Sequence, residues 1–600
     1  MSGEPEGIEV EWQFDALDLR PVERWLATLP TLSLPLASGE PQTVTALAKT
    51  PRRLVDTYVD TDDWRLVRAG FVVRIRRRGT RDEVTLKDMH PSEEGGLRQR
   101  LEVTEPLPDG GVAALGPDGP VGRRVHAVAG RNALRQILTV RTRRRPFAVR
   151  IGGADVAEIA LDDTAIVVGN GQRPMQLRRV EVEVRPEWVD TLRPVVRQLR
   201  EACGLQPATL SKFEAGLLAL GAVIPGAPDL GPTDITPDST MGGLAYAVLR
   251  RQLAVLRVKE PGTRLGEDPE ELHDMRVATR RLRAALDLFV EVLPVRAHSF
   301  REELGWVADV LGHVRDLDVQ REALASMSST ASTWSDLFGS DAGDPLADLQ
   351  ALLVREREAA RADLLAALDS LRWERLVRAM ASMVQQGPLR RSAATRLPAV
   401  VAVPELVDAR HKAVVKAAKR AKRSGVPGDF HRLRIRCKRL RYSLEFSAEL
   451  YGGRTVRYTR QLAGLQDQLG LVQDAEVATA RLADLATGQA HLPASTVFVM
   501  GGVAERHRVE REELLRRLPK ELSRVGGRHW QELAATMDRH RTDALAQLPP
   551  AQRTLRALPR PSVPTPTPQE AAAEPPAVAS TPVAALMPHR EEAPSPPPSG

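Results

Sequence analysis

The chain predicts an α+β protein, a β-rich amino-terminal barrel followed by a duplicated all-α domain. Three observations carry that prediction. Apolar and charged residues alternate with period two through much of residues 8–220, Ala-, Leu- and Arg-rich runs with helical spacing fill about 241–545, and one pattern in the second region occurs twice. The amino-terminal domain is taken as 1–222 and a Pro-, Gly- and Asp-rich linker as 223–240. The helical domain is taken as 241–546, with repeats at about 241–398 and 399–546, and the tail as 547–600. That Pro/Ala-rich tail has too few large apolar residues to offset its ordering entropy, so disorder is expected there.

Six hundred residues exceed one hydrophobic core, so at least two domains are required. The net charge of +7 favours an anionic partner only mildly, because 85 basic residues are mixed with 78 acidic ones. Cys203 and Cys437 stand far apart, which excludes a disulfide framework or a zinc site. The start, MSGEPEGIEVEW, has no basic-then-apolar leader, and no run of about 18 apolar residues occurs. The expectation is a cytoplasmic chain without membrane contact. An aromatic content of 4% argues against base-stacking platforms for nucleic acid.

Strands are expected at Ile8–Phe14, Phe71–Arg78, Glu83–Lys87, Leu97–Thr104, Thr139–Arg145, Ala157–Asp162 and Leu177–Arg185. Each has one charged side: Glu9 and Glu11; Arg74, Arg76 and Arg78; Thr85 and Lys87; Arg98, Arg100 and Glu102. The series continues with Arg141, Arg143 and Arg145, then Glu158 and Asp162, and Arg179, Glu181, Glu183 and Arg185. The alternate positions, among them Val73, Ile75, Leu101, Ile159, Val180 and Val182, are apolar. A solvated outer face is the ordinary meaning of such alternation. So many strands of this kind fit a barrel with charges inward, its cations gripping phosphates and its carboxylates holding a divalent metal. Parity alone leaves open which face is inside.

In the second region, His273 and His431 open two copies of His-x-x-Arg-x-x-x-basic-Arg-Leu-Arg, 158 residues apart from 273 to 431, and Asp316 with Asp474 keeps the same spacing. At about 100° per residue, His273, Arg276, Arg280 and Arg283 fall in one stripe of about 80°, as do His431, Arg434, Lys438 and Arg441. Met275, Leu282 and Leu286, like Leu433, Leu440 and Leu444, supply the apolar side. His411, Lys412, Lys416, Lys419, Arg420 and Arg423 form a further basic helix, ended by Gly425, Pro427 and Gly428. A hairpin with two basic faces would make a cationic groove suited to phosphate chains. The histidines are read as phosphate ligands, so binding is expected to weaken as pH rises through their titration.

The segments Glu-x-Glu at 9–11, YVDTDDWRL at 58–66, VRIRRRG at 73–79, TLK at 85–87, RLE at 100–102, VRTRRRPF at 140–147, EIALDD at 158–163, VEVEV at 180–184 and LSKFEAGL at 210–217 together resemble the CYTH family, the triphosphate tunnel metalloenzymes. The resemblance implies an eight-stranded antiparallel tunnel that takes triphosphate-like substrates with Mg²⁺ or Mn²⁺. It implies Glu9, Glu11, Glu181 and Glu183 as metal ligands with Asp162 or Glu158 nearby, and Lys87 beside Glu9 and Glu11 in the catalytic set. Phosphate contacts would come from Arg74, Arg76, Lys87, Arg100, Arg143 and Lys212. The second region, through the two histidine helices, LGHVRDLDV at 311–319 and LGLVQDAEV at 469–477, resembles the CHAD family. That resemblance implies two pseudo-symmetric four-helix bundles with a basic surface for inorganic polyphosphate; for Asp316 and Asp474 two roles stay open, holding basic side chains in place or capping helices.

Two positions depart from the family pattern: Gln13 stands where the lysine of Glu-x-Glu-x-Lys belongs, and Thr104 stands where a carboxylate often follows Arg-x-Glu. An amide hydrogen-bonds but drops a full charge. The leading reading is a polyphosphate-binding protein with a metal-dependent triphosphatase tunnel acting on tripolyphosphate. The alternatives are a binding protein on polyphosphate granules with an inactive tunnel, an adenylate cyclase, and, last, a nucleic-acid binder. Oligomeric state is not readable from the sequence.

Overall fold

Alternation closes the first part of the chain on itself. The computed structural model describes residues 7–29, 33–35, 41–78, 81–89, 97–167, 174–222, 229–328, 344–389, 392–488 and 492–547. Two compact units emerge, Met1–Pro228 and Asp229–Gly600. The first contains β1 (Ile8–Asp15), β2 (Ser33–Pro35), β3 (Pro41–Ala48), β4 (Arg52–Asp60), β5 (Phe71–Arg78) and β6 (Arg81–Asp88). It continues with β7 (Leu97–Pro106), β8 (Arg135–Ile151), β9 (Ala154–Val167), β10 (Met175–Val184) and β11 (Gln206–Pro207). Neighbours run β8-β4-β5-β6-β7-β1-β10-β9, and β9 pairs back onto β8, which gives a closed antiparallel barrel of eight strands. Closure leaves no exposed ladder edge within the ring, and eight strands enclose an interior wide enough for side chains and one small ligand.

The long strand β8 makes the closure possible. Its first part, from Arg135 to Arg144, pairs with β4, and its end, from Phe147 to Ile151, pairs with β3. The expected strand Thr139–Arg145 is therefore the middle of a longer one, and β3 and β4 are strands that alternation did not single out. The apolar positions face outward and are covered by helices. Val10, Trp12, Phe14, Ile159, Leu161, Val180 and Val182 pack with Val22 and Leu26 of α1 (Arg20–Thr28) and with Leu192, Val195, Val196 and Leu199 of α2 (Val189–Cys203). A third helix, α3 (Lys212–Leu220), starts from a capping box in which Ser211 and Glu214 satisfy each other's backbone N–H. That start fixes Lys212 at the first helical turn.

The second unit is helical. Its first half holds α4 (Met241–Leu265), α5 (Pro269–Leu288), α6 (Ala297–Ser328), α7 (Ala347–Leu368) and α8 (Leu371–Gln386). Its second half holds α9 (Ala399–Ser424), α10 (Pro427–Phe446), α11 (Gly453–Thr487), α12 (Ala494–Arg524) and α13 (Arg528–Gln547). Both α4 with α9 and α5 with α10 begin 158 residues apart (241 to 399, 269 to 427). In each half three helices pack in sequence and two share the fourth side of a bundle: α7 lies on α6 and α8 on α4, as α12 lies on α11 and α13 on α9. The halves join where α5 meets α10 and α4 meets α9, around one continuous core.

Leu230 and Ile235, inside the stretch read as linker, are buried in that core. Residues 223–228 of the linker and the tail from 548 lie outside the described residues. Among the described residues, no helix is long and apolar enough to cross a membrane.

Candidate functional site

The inward positions of the barrel line a cavity of about 360 Å³. Its walls carry Glu9 and Glu11 from β1, Asp56 from β4, Arg74 and Arg76 from β5 and Lys87 from β6. Arg98, Arg100 and Glu102 come from β7, Arg144 from β8, Glu158 from β9, Glu181 and Glu183 from β10, and Lys212 from α3. The antiparallel register sets who meets whom: Glu9 opposite Arg100, Glu11 opposite both Arg98 and Glu183, Lys87 opposite Glu102, and Asp56 opposite Arg76. Cross-strand neighbours are close enough for long side chains to pair.

They do pair. Lys87 Nζ donates to Glu9 Oε2 at 3.0 Å and lies 2.5 Å from Glu102. Arg100 Nε donates to the same Glu9 oxygen at 3.0 Å, and its Nη2 donates to Glu11. Arg76 grips Asp56 through two bonds of 2.6 and 2.7 Å, and Arg144 grips Asp162 through two of 2.9 and 2.7 Å while also reaching Glu181. Lys212 Nζ donates to Glu181 at 2.8 Å and to Asp162. Planar guanidinium and carboxylate groups match in this two-point way.

These contacts split the carboxyl groups electrostatically. Burial alone would raise Glu9, but Lys87, Glu102 and Arg100 outweigh it and hold its carboxyl well below the usual range. Burial likewise opposes ionisation of Glu181, and Lys212 with Arg144 overcomes it, keeping the group well below that range. Glu11 goes the other way: burial and the adjacent charges of Glu9 and Glu181 push it up to about 7 against the pull of Arg100. Glu183 is raised by its enclosure and by Glu9 and Glu102. A ring of carboxylates that raise one another marks a place where added positive charge is favourable.

The helical unit builds a second basic site. His273, Arg276, Arg434 and Lys438 are buried, at 8, 4, 1 and 6% exposure, which no solvated stripe would be. Two carboxyl groups show that the stripes of the two halves converge. Burial lifts Asp316 of α6 to about 6 against Arg276 and Arg315, and lifts Asp474 of α11 to about 7 against Arg434 and Lys438, with Asp316 adding to the rise and Arg276 opposing it. Arg276 of the first half thus acts on the aspartates of both halves. Around them, Nε of Arg280, Arg283 and Arg315 and Nε2 of His431 are buried without a hydrogen-bond partner, whereas Arg441 Nε lies 3.2 Å from Glu445. Each such unpartnered guanidinium N–H costs about 1–3 kcal/mol unless something accepts from it. His431 Nδ1 meets Gln473 Oε1 at 2.8 Å, which aims the unpartnered nitrogen.

Residues 32–217 match the family model of the CYTH domain, and residues 247–483 match that of the CHAD domain. The chain is a CYTH domain followed by a CHAD domain. The first match begins after β1, yet β1 closes the barrel and carries Glu9, Glu11 and Gln13. Among solved structures, the chain is similar to the CHAD domain from the plant Ricinus communis, with 28% identity over 51% of this chain and 93% of that one and a TM-score of 0.36. It is similar to PptA from Streptomyces chartreusis, with 20% identity over 48% and 100% and a TM-score of 0.38. It is also similar to HpAC1 from Hippeastrum, described as a putative adenylyl cyclase with a dominant triphosphatase activity, with 16% identity over 36% and 98% and a TM-score of 0.26. No curated protein matches the sequence.

Within the CYTH barrel the structure brings together Glu9, Glu11, Arg74, Arg76, Lys87, Arg100, Glu181, Glu183 and Lys212. It does not bring Arg143 there. Arg143 is exposed on the outer face of β8, and its neighbour Arg144 takes the inward place opposite Asp162. Asp162 is fully buried beneath Arg144 and Lys212 rather than open to the cavity. Asp56, Arg98, Glu102 and Arg144 are lumen residues that the sequence reading did not assign. Thr104 meets Thr85 at 3.0 Å, and Gln13 is buried.

Within the CHAD domain the further basic helix differs from the two histidine stripes. Lys412, Lys416 and Lys419 are exposed on α9, and Lys412 pairs with Asp408, so they are not part of the buried stripe. His411 belongs to the core, stacked on Trp530 at 3.6 Å with Nε2 3.2 Å from the Val525 carbonyl oxygen. His273 is held below the ordinary histidine value by burial and by Arg315, so it is largely neutral near pH 7.

The tunnel's donor set fits a divalent cation. Hard carboxylate oxygens suit Mg²⁺ or Mn²⁺, and Glu11 and Glu183 face each other while their proximity to other acids penalises their charge. Among the described residues, no three acidic or histidine side chains already converge as a ready-made cluster. The carboxylates are turned instead toward Lys87, Arg100, Arg144 and Lys212.

Proposed function

We propose that this protein binds inorganic polyphosphate through its CHAD domain and that its CYTH tunnel hydrolyses tripolyphosphate-like ends with Mg²⁺ or Mn²⁺. The observation that carries the reading is the lumen itself, in which cations able to grip phosphate alternate with carboxylates able to hold a metal. Glu9, Glu11, Glu181 and Glu183 would hold the cation, which when bound neutralises phosphate charge and orients a water. Arg74, Arg76, Lys87, Arg100, Arg144 and Lys212 take phosphate oxygens, exchanging their present carboxylate partners for the substrate. The closed barrel limits water around the reacting group, where fixed cations stabilise developing charge best.

In the CHAD domain, support comes from the buried, unpartnered nitrogens of the two stripes, which a chain of phosphates would satisfy. A second reading, binding in the tunnel without hydrolysis, is favoured by the neutral amide of Gln13. Incubation with tripolyphosphate or long-chain polyphosphate, with Mg²⁺, Mn²⁺ or chelator, separates them. Metal-dependent phosphate release that Glu9→Gln with Glu11→Gln abolishes supports the enzyme. Tight binding without release leaves the second reading, and no binding of either ligand refutes both.

A further inference from the structure

Arg98 is the lumen guanidinium whose charge is not matched. Arg74 meets Glu102, Arg76 meets Asp56, Arg100 meets Glu9 and Glu11, Arg144 meets Asp162 and Glu181, and Arg179 meets Asp15. Arg98 instead donates Nη1 to the Gln13 side-chain oxygen at 2.9 Å and Nη2 to the Ala208 carbonyl oxygen at 2.8 Å, both neutral acceptors. Among the described residues no carboxylate lies within ion-pair distance of it. The carboxylate opposite it in register, Glu11, is already taken by Arg100 and by Gln13 Nε2 at 2.7 Å.

The surroundings sharpen the point. Burial, then the like charges of Arg100 and Arg179, outweigh the carboxylates of Glu11 and Glu214 and hold Arg98 below the usual arginine value. A buried cation beside other cations is costly unless an anion accompanies it. Two of its five N–H donors are engaged, and both bonds fix its direction. Gln13 does the aiming, because its amide spans Glu11 on one side and Arg98 on the other. Thr209, Ser211 and Lys212, which follow Ala208 in the chain, line the same cavity.

We propose that Arg98 is an anion-binding residue of the tunnel, presented by Gln13, which takes a phosphoryl oxygen on the part of the lumen wall beside Ala208. The assignment rests on the tunnel reading above and adds to it the residue that anchors one end of a triphosphate. Gln13 is a positioning residue. The amide at position 13 leaves the site its positive charge because Arg98 supplies it from the neighbouring strand.

Calorimetric titration of tripolyphosphate into the full chain at constant Mg²⁺ tests this. Arg98→Gln is expected to weaken binding about tenfold or more, the value of one charged hydrogen-bonding partner, while Arg98→Lys keeps most of it. Arg98→Gln combined with Gln13→Lys returns a cation to the same spot and restores affinity to within about threefold. Should Arg98→Gln fail to fold, Gln13→Glu makes the same point by neutralising Arg98 in place, again with about a tenfold loss. Wild-type affinity in Arg98→Gln or Gln13→Glu overturns the proposal. So does a folded Arg98→Lys that loses as much as Arg98→Gln, which would make the fork to Gln13 and Ala208 purely structural. A wild-type chain that binds no tripolyphosphate refutes the tunnel reading itself, a different result from unchanged binding in the variants.

Discussion

Adjacent arginines on β8 give opposite expectations. Arg144 holds Asp162 through two bonds and also reaches Glu181, and the side chain of Asp162 is 0% exposed. Arg144→Ala leaves that carboxylate with Lys212 as its remaining cation. Removing one partner of a buried ion pair costs about 3–5 kcal/mol, and Lys212 keeps the loss near the lower end. For a domain of about 200 residues each kcal/mol moves the midpoint by about 2–4 °C, so the barrel transition should fall by about 6–12 °C. Arg143→Ala removes an exposed side chain and should change stability by no more than about 0.5 kcal/mol. Calorimetric unfolding of the full chain, followed on the barrel transition, measures both. Tripolyphosphate titration should show at least about a tenfold loss for Arg144→Ala and none for Arg143→Ala. Equal effects of the two substitutions, in either assay, would refute the inward assignment of Arg144.

Glu11, raised to about 7, favours its neutral form in the folded barrel, so its contribution to stability is lost as pH climbs from the carboxylate range through about 7. Glu11→Gln should therefore match wild type near pH 4 and unfold at a higher temperature near pH 8; an unchanged difference across that range would count against the buried, acid-crowded setting. Asp316 and Asp474, raised to about 6 and about 7, become anionic inside the basic groove as pH rises, opposing a polyanion. Affinity for long-chain polyphosphate should fall by up to about tenfold per pH unit per group above those values and flatten in Asp316→Asn with Asp474→Asn. The difference between wild type and variant cancels the ligand's own titration, and identical slopes would remove the aspartates from the site. Because His273 is largely neutral near pH 7, His273→Ala should leave the slope between pH 6.5 and 8 unchanged. Chelating the divalent cation should abolish phosphate release from tripolyphosphate but spare binding of polyphosphate by the CHAD domain, read by titration in the same buffer.

Much of this architecture is legible in residues alone. The 158-residue spacing from His273 to His431 recurs as the spacing of helix starts at 241 and 399 and at 269 and 427, because duplicated sequence repeats its apolar faces together, and the second pair also repeats its opening proline, Pro269 and Pro427. Alternation through Glu9–Glu11, Arg74–Arg76 and Glu181–Glu183 marked positions that share the lumen, since side chains two apart in a strand point the same way. The extent of β8 and the existence of β3 were not legible: Pro41–Ala48 alternates weakly, and β8 changes partner along its length.

What the chain determines by itself is therefore its periodicity: two kinds of domain, a doubled helical motif, and a charged face on each strand. What tertiary structure decides is which of two equivalent parities faces inward and which side chains from distant elements meet. A strand with period two has no intrinsic inside, so Arg143 and Arg144 exchange roles only when pairing with Asp162 on β9 sets the register. Lys412 on α9 and Arg434 on α10 are both cations on basic helices, yet packing buries Arg434 near Asp474 of α11 and leaves Lys412 in water. Nor does local sequence reveal that Arg98 lacks a carboxylate partner among the described residues, because that depends on Arg100 of β7 reaching Glu11 across the β1–β7 pairing while Gln13 holds the same carboxylate from within β1.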